Sequence, residues 1–213
     1  MYSSPRYDNL GNKVDNQKCP FCRTAYPKTE KEQIERLEKR VEKDDPLAIY
    51  NLGVCYSKGL RGYPQDYGKA LELWHRAAEL GYSTKAYLNI GYSYEKGEGV
   101  QVHKEKASHY YELAAIGGDV TARHCLGNME MEAGNIDRAL KHFMLAVGGG
   151  DANPLKQIRI LYSKGHATID DDTKALQLYQ DYLGEIKSVQ RDKAAAADDN
   201  DRFRYYDRVW NRI

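Results

Sequence analysis

The sequence predicts an all-α protein, a right-handed α-solenoid of about four stacked antiparallel helix pairs. The block Ala48-Ile-Tyr-Asn-Leu-Gly53-Val-Cys-Tyr56-Ser-Lys-Gly59 recurs as Ala86-Tyr-Leu-Asn-Ile-Gly91-Tyr-Ser-Tyr94-Glu-Lys-Gly97, and more loosely from Ala122 to Gly127. A second block follows each, and its Lys/Arg-Ala pairs fall at residues 69–70, 106–107, 138–139 and 174–175, at intervals of 37, 32 and 36 residues. Both blocks carry the spacing of amphipathic helices: Ala48, Leu52 and Tyr56 stand at i, i+4 and i+8, and Ala70, Trp74, Ala77 and Ala78 share one face. Self-similarity at that period signals helix pairs that bury their apolar faces against their neighbours.

In chain order, residues 1–28 are expected to be mostly disordered around a remnant of a zinc knuckle. Cys19-Pro20-Phe21-Cys22-Arg23 resembles the closing pair of ligands of a RING finger. A structural zinc needs four ligands, yet no cysteine precedes Cys19 and the first histidine is His75. Cys19 and Cys22 therefore make half a metal site, filled by zinc only if another chain or missing sequence completes it, and no cofactor is otherwise expected. Residues 29–44 predict a helix that caps the array: Thr29 and Glu32 form a capping box, and Ile34, Leu37 and Val41 form an apolar stripe.

Residues 45–184 carry the repeats. Asp45 and Pro46 have the residue types of an N-cap and first helical position, Asp119 holds the same place before the third repeat, and Gly81, Gly118 and Gly150 suit left-handed C-terminal caps. Glycine inside a helix costs about 1 kcal/mol, so Gly53, Gly91 and Gly127 imply a close approach of the paired helix that offsets it. Tyr56, Trp74, Tyr94 and Tyr111 are assigned to the core. Residues 185–213 form a charged and aromatic tail, with arginines interleaved among aromatics from Arg202 to Ile213. That tail either covers the end of the array, stays mobile, or contacts single-stranded RNA.

The motifs Leu-Gly-x-x-Tyr, Gly97-Glu-Gly99-Val100, Lys-Ala-x-x-x-Tyr/Trp and Ala-Ala-x-x-Gly resemble the Sel1-like repeats, relatives of the tetratricopeptide repeats. The third copy lacks the Gly-x-Gly-Val loop and resembles an ordinary tetratricopeptide turn. The fourth has Arg159 in place of the glycine, so its helices should pack less closely. The resemblance implies a non-catalytic scaffold or adaptor that binds a protein or peptide. Its groove would be lined by first-helix residues off the packing stripe: Tyr50, Val54, Ser57, Leu88, Tyr92, Glu95, His124, Asn128 and Met131. Tyr50 and Tyr92 could equally pack against neighbouring repeats. The alternative is a piece of a RING-type E3 ubiquitin ligase whose repeats select substrate.

The remaining features exclude rather than assign. Lysine plus arginine number 32 against 31 aspartate plus glutamate, which gives nucleic acid or an anionic membrane little to attract. Four cysteines, two of them in helical patterns, point to a reducing compartment, and with no long apolar run the expected location is the cytoplasm. The six histidines form no HExxH, and no GxSxG or phosphate-loop motif occurs. His124 and Cys125 are adjacent and so point about 100 degrees apart on a helix, which leaves Cys125 as a core cysteine. Asp170, Asp171 and Asp172 are read as helix-capping acids, not cation ligands.

Elemental analysis of protein purified without chelator should find no stoichiometric zinc. Roughly one zinc per two chains, lost in the Cys19→Ser/Cys22→Ser variant, would instead mean that two half-sites join in a four-cysteine site.

Overall fold

A computed structural model describes residues 6–7, 13–14, 27 and 29–186. Cys19, Cys22 and the segment from Arg202 to Ile213 lie outside the described residues. Strands β1 (Arg6–Tyr7) and β2 (Lys13–Val14) pair antiparallel, with Arg6 opposite Val14. The other described elements are helices, in two compact units that divide between Gly81 and Tyr82.

The first unit holds α1 (Glu30–Val41), α2 (Pro46–Lys58) and α3 (Tyr67–Glu79). Thr29 caps α1 by accepting the Glu32 N–H at 3.2 Å. The buried Leu37 of α1 packs with Ala48 and Cys55, flanked by Val41, Leu52 and Tyr63. Asp45 caps α2, accepting from the N–H groups of Leu47 and Ala48 at 3.1 Å, and its other oxygen takes the Arg40 Nε–H at 2.9 Å. One carboxylate thus fixes the turn between α1 and α2.

The second unit holds α4 (Ser83–Lys96), α5 (Lys104–Ile116), α6 (Val120–Glu132), α7 (Ile136–Gly148), α8 (Asn153–Ser163) and α9 (Ile169–Ile186). Consecutive helices pack on one another, and α9 also packs on α7. Buried Ala107, Tyr111, Ala114, Ala115, Ala122 and Leu126 make one core, and Ala139, Phe143, Val147, Ile158, Leu161 and Ala175 another.

The helical glycines explain how closely the pairs approach. A Cβ on Gly53 would lie 2.6 Å from Trp74 Nε1, one on Gly91 2.7 Å from the Tyr111 ring, and one on Gly127 2.5 Å from the Phe143 ring. Each pair α2–α3, α4–α5 and α6–α7 therefore rests an aromatic ring on bare backbone, which is the close contact the sequence implies. At the fourth pair, Arg159 occupies the glycine's place. Its side chain is 63% exposed and reaches Asp172 at 3.7 Å.

A second contact recurs three residues beyond the glycine. Lys69 Nζ lies 4.2 Å from the centre of the Tyr56 ring and Lys106 Nζ lies 5.1 Å from that of Tyr94. Both are cation–π contacts. In the third pair the same two places hold Glu130 and Arg138, joined at 2.8 Å. The lysine or arginine of the Lys/Arg-Ala motif thus meets the residue three beyond the glycine in all three pairs.

The core assignment holds for Tyr56, Trp74 and Tyr111, while Tyr94 is half-buried, packed against the core with its ring stacked on Tyr110 at 5.7 Å. The triplet Asp170–Asp172 lies inside the first turn of α9, not ahead of it. Thr168 caps that helix, exchanging hydrogen bonds with Asp171 at 2.7 to 3.1 Å.

Gly91→Ala should lower stability by about 1–3 kcal/mol, because overpacking against Tyr111 outweighs the gain in helix propensity. A Cβ on Gly184 meets nothing within 4 Å, so Gly184→Ala should raise stability by about 0.5–1 kcal/mol. Urea denaturation of both variants checks the contrast, and a stabilised Gly91→Ala would mean that the Tyr111 ring has room to retreat.

Candidate functional site

The junctions that follow α5 and α7 position the second unit's first helices. Both read Gly-Gly-Asp. The N–H of Gly118 reaches the Ala115 carbonyl at 3.1 Å and that of Asp119 reaches Ala114 at 3.0 Å, while Gly150 and Asp151 repeat the pattern on Val147 and Ala146 at 2.9 and 3.0 Å. This is the Schellman turn, and it needs the positive φ of 89° at Gly118 and 97° at Gly150. The glycine before each is pressed against the preceding first helix: a Cβ on Gly117 would lie 2.4 Å from Thr84 Oγ1, and one on Gly149 2.2 Å from Val120 Cγ1.

Each aspartate then serves two helices. Asp119 caps α6 by accepting the Ala122 N–H at 2.9 Å, and its buried carboxylate holds Lys85 of α4 at 2.7 Å. Asp151 accepts the Asn153 N–H at 2.9 Å and lies 3.3 Å from Nδ1 of His124 on α6.

So held, α4, α5 and α6 line a cleft of about 460 Å³. Tyr92, Glu95 and Lys96 come from α4, Lys104, Glu105 and Ser108 from the start of α5, and Cys125, Leu126, Asn128, Met129, Glu130 and Glu132 from α6. Leu126 and Met129 belong to the apolar cluster beneath. Tyr92 presents a ring that is 45% exposed, with Lys96 Nζ 5.8 Å from its centre. Asn128 Oδ1 is buried with no hydrogen-bond partner among the described residues.

Glu95 is the electrostatic centre of the cleft. The Tyr111 hydroxyl donates to it at 2.6 Å and the Lys96 ammonium also donates to it. Burial pushes its carboxyl up, but those two hydrogen bonds and the Lys96 and Lys104 charges outweigh burial and hold it below the ordinary value. Burial, with the neighbouring Cys125 and Glu95, pushes the Tyr111 hydroxyl up, so it stays a donor. Burial also pushes the Cys125 thiol up to about 11, and a thiol held protonated is a poor nucleophile. Cys125 is half-buried, packed against the α5–α6 core and bordering the cleft.

Of the nine residues that the sequence assigns to a groove, the cleft gathers Tyr92, Glu95 and Asn128. Leu88 packs against the α5–α6 core and Met131 against the α7–α8 core. His124 faces the Phe143 ring edge-on at 6.0 Å, and its Nε2 is buried without a partner among the described residues. Tyr50, Val54 and Ser57 lie half-buried on α2 of the first unit, where Ser57 Oγ donates to the Val54 carbonyl at 3.1 Å. Sequence reasoning missed Lys96, Lys104, Glu105, Ser108, Met129, Glu130 and Glu132. For the three at the start of α5 the one signal was the Gly97–Val100 loop, after which the His103 N–H reaches the Tyr94 carbonyl at 2.9 Å and sets where α5 begins.

Among the described residues, no group of three or more histidine, cysteine, aspartate or glutamate side chains could hold a metal ion. Nor is any described helix long and apolar enough to cross a membrane.

A carboxyl depressed on folding stabilises the folded chain above its unfolded value and loses that contribution as the pH falls through its folded value. Glu95 therefore stabilises the fold above its ordinary 4.5, and Glu95→Gln should flatten the loss of stability on acidification below that pH. Chemical denaturation of both proteins at stepped pH checks it; parallel curves would mean that Glu95 is solvated.

The profile of the Sel1 repeat matches residues 46–82 and 84–119. A relative in Arabidopsis thaliana, the ERAD-associated E3 ubiquitin-protein ligase component HRD3B, is 32% identical over 114 residues, which are 53% of this chain and 18% of that protein. The chain thus spans less than a fifth of that relative's length. The crystal structure of a Sel1 repeat protein from Oxalobacter formigenes superposes with a TM-score of 0.60 at 29% identity, covering 74% of this chain and 65% of that one. A protective antigen of uropathogenic Escherichia coli strains, displaying an SLR fold, gives 0.61 at 29% identity over 74% of this chain and 34% of that one. The glycine–aromatic contact and the lysine–tyrosine contact both recur in the two segments, residues 46–82 and 84–119, that match the Sel1 repeat.

Proposed function

We propose that this chain is a non-catalytic scaffold that docks a segment of a protein partner in the cleft between α4, α5 and α6. The observation that carries this reading is Tyr92: a large aromatic ring, 45% exposed, stands at the mouth of a cleft with an apolar floor and an unpaired buried acceptor. Exposed aromatics beside a concave apolar surface are the usual anchors of protein recognition. The absence of a catalytic role rests on chemistry: Cys125 is held as a thiol, and the cleft's carboxylates and lysines are largely tied to one another. A cytoplasmic location rests on the cysteine usage alone.

A second reading is favoured by the kinship with a ubiquitin-ligase component. In it the repeats choose what a ligase modifies, and the knuckle at Cys19 and Cys22 belongs to a zinc domain completed elsewhere.

A photo-crosslinking benzoylphenylalanine at Tyr92 should capture a discrete partner that the same group at Tyr162, 41% exposed on α8, does not. Tyr92→Ala, checked for native helicity by circular dichroism, should weaken that capture. Equal labelling from both positions, or an unfolded Tyr92→Ala, would overturn the docking site.

A further inference from the structure

The cleft's hydrogen-bonding character is one-sided. Four carboxylates line it against two lysines. Both lysines are engaged, Lys96 by Glu95 and Lys104 by Glu132 at 3.4 Å. Glu130 is held from outside the cleft by Arg138 at 2.8 Å, whereas Glu105, 85% exposed, has among the described residues His103 at 3.0 Å, a partner that is charged only when protonated. The one buried polar atom left without a partner in this lining is again an acceptor, Asn128 Oδ1. The cleft lining thus carries more carboxylates than ammonium groups.

The exposed face of Tyr92 adds a place for a cation, since Lys96 already lies beside that ring at 5.8 Å and a flat guanidinium stacks on an aromatic better than an ammonium does. The chain as a whole carries a net charge of +1, so this acidity is local and not a general attraction for cations.

We infer that the cleft receives an arginine-bearing peptide segment, the guanidinium stacked on Tyr92 and donating to the cleft's carboxylates while apolar neighbours of the arginine rest on Leu126 and Met129. This assignment rests on the docking reading above and adds the chemistry of the occupant. It also assigns a role to Glu105 and Glu132 as acceptors at the rim, where charge sets the rate and specificity of encounter.

Fluorescence polarisation with three labelled peptides tests it: alternating arginine and leucine, the same with glutamate for arginine, and the same with serine for arginine. The arginine peptide should bind at least about tenfold more tightly than the other two and weaken as salt is raised. Glu105→Gln/Glu132→Gln and Tyr92→Ala should each reduce its affinity by about three- to tenfold. Glu112→Gln, an exposed glutamate of α5 outside the lining, should leave it unchanged. Because Glu105 and Glu132 are mostly exposed, their substitution does not act by unfolding. Serine and arginine peptides that bind equally, both dependent on Tyr92, would overturn the basic occupant and leave the docking site standing. An arginine peptide indifferent to the double glutamine variant would also overturn it. No binding by any of the three would overturn the assignment, and the docking reading would then stand or fall with the crosslinking result.

Discussion

Bare backbone pressed onto an aromatic ring is the contact on which the rest of this molecule depends. Gly53, Gly91 and Gly127 each let a ring approach to a distance that no Cβ would tolerate. With the rings of Trp74, Tyr111 and Phe143 fixed, the small residues Ala70, Ala107 and Ala139 one turn earlier are fully buried, and the two helices of a pair share one dense seam. The cost of glycine in a helix interior is met by dispersion contacts over the face of a whole ring. Where arginine replaces the glycine, at Arg159, the position opens to solvent.

The site inherits its geometry from that seam. Tyr111 is both the ring on Gly91 and the hydroxyl on Glu95, so the packing of α4 on α5 sets where the cleft's central carboxylate stands and keeps it ionised. Tyr92 and Asn128 occupy corresponding places, each one residue after its helix's glycine. The glycine faces its partner helix, so the next residue turns away from the pair. Recognition and packing are thus divided by a single step along the helix.

That division explains what was legible in the sequence. Helix type, caps and seam were readable because each rests on local spacing: Asp45 before Pro46, Thr29 three residues before Glu32, an alanine five before each helical glycine. Tyr92, Glu95 and Asn128 were readable as residues off the seam. What the sequence hid depends on contacts between successive pairs. The start of α5 reaches the cleft only because α6 returns beside it, so Lys104, Glu105 and Ser108 carried no signal of their own. Cys125 packs on the core as its spacing suggests and also borders the cleft, and Leu88 and Met131 looked like groove and proved to support the core. Tyr94 traded full burial for a stack between Tyr110 and Lys106.

The two Gly-Gly-Asp junctions have a consequence for how such a surface could change. Backbone turns and one carboxylate each lock α4 to α6 and α6 to α8, and none of the atoms involved belongs to Tyr92, Glu105, Asn128 or Glu132. Those four side chains are therefore mechanically idle. They can be exchanged for others of different charge or size while the spacing of the helices stays put, so new ligands become reachable by single substitutions without a detour through an unstable intermediate.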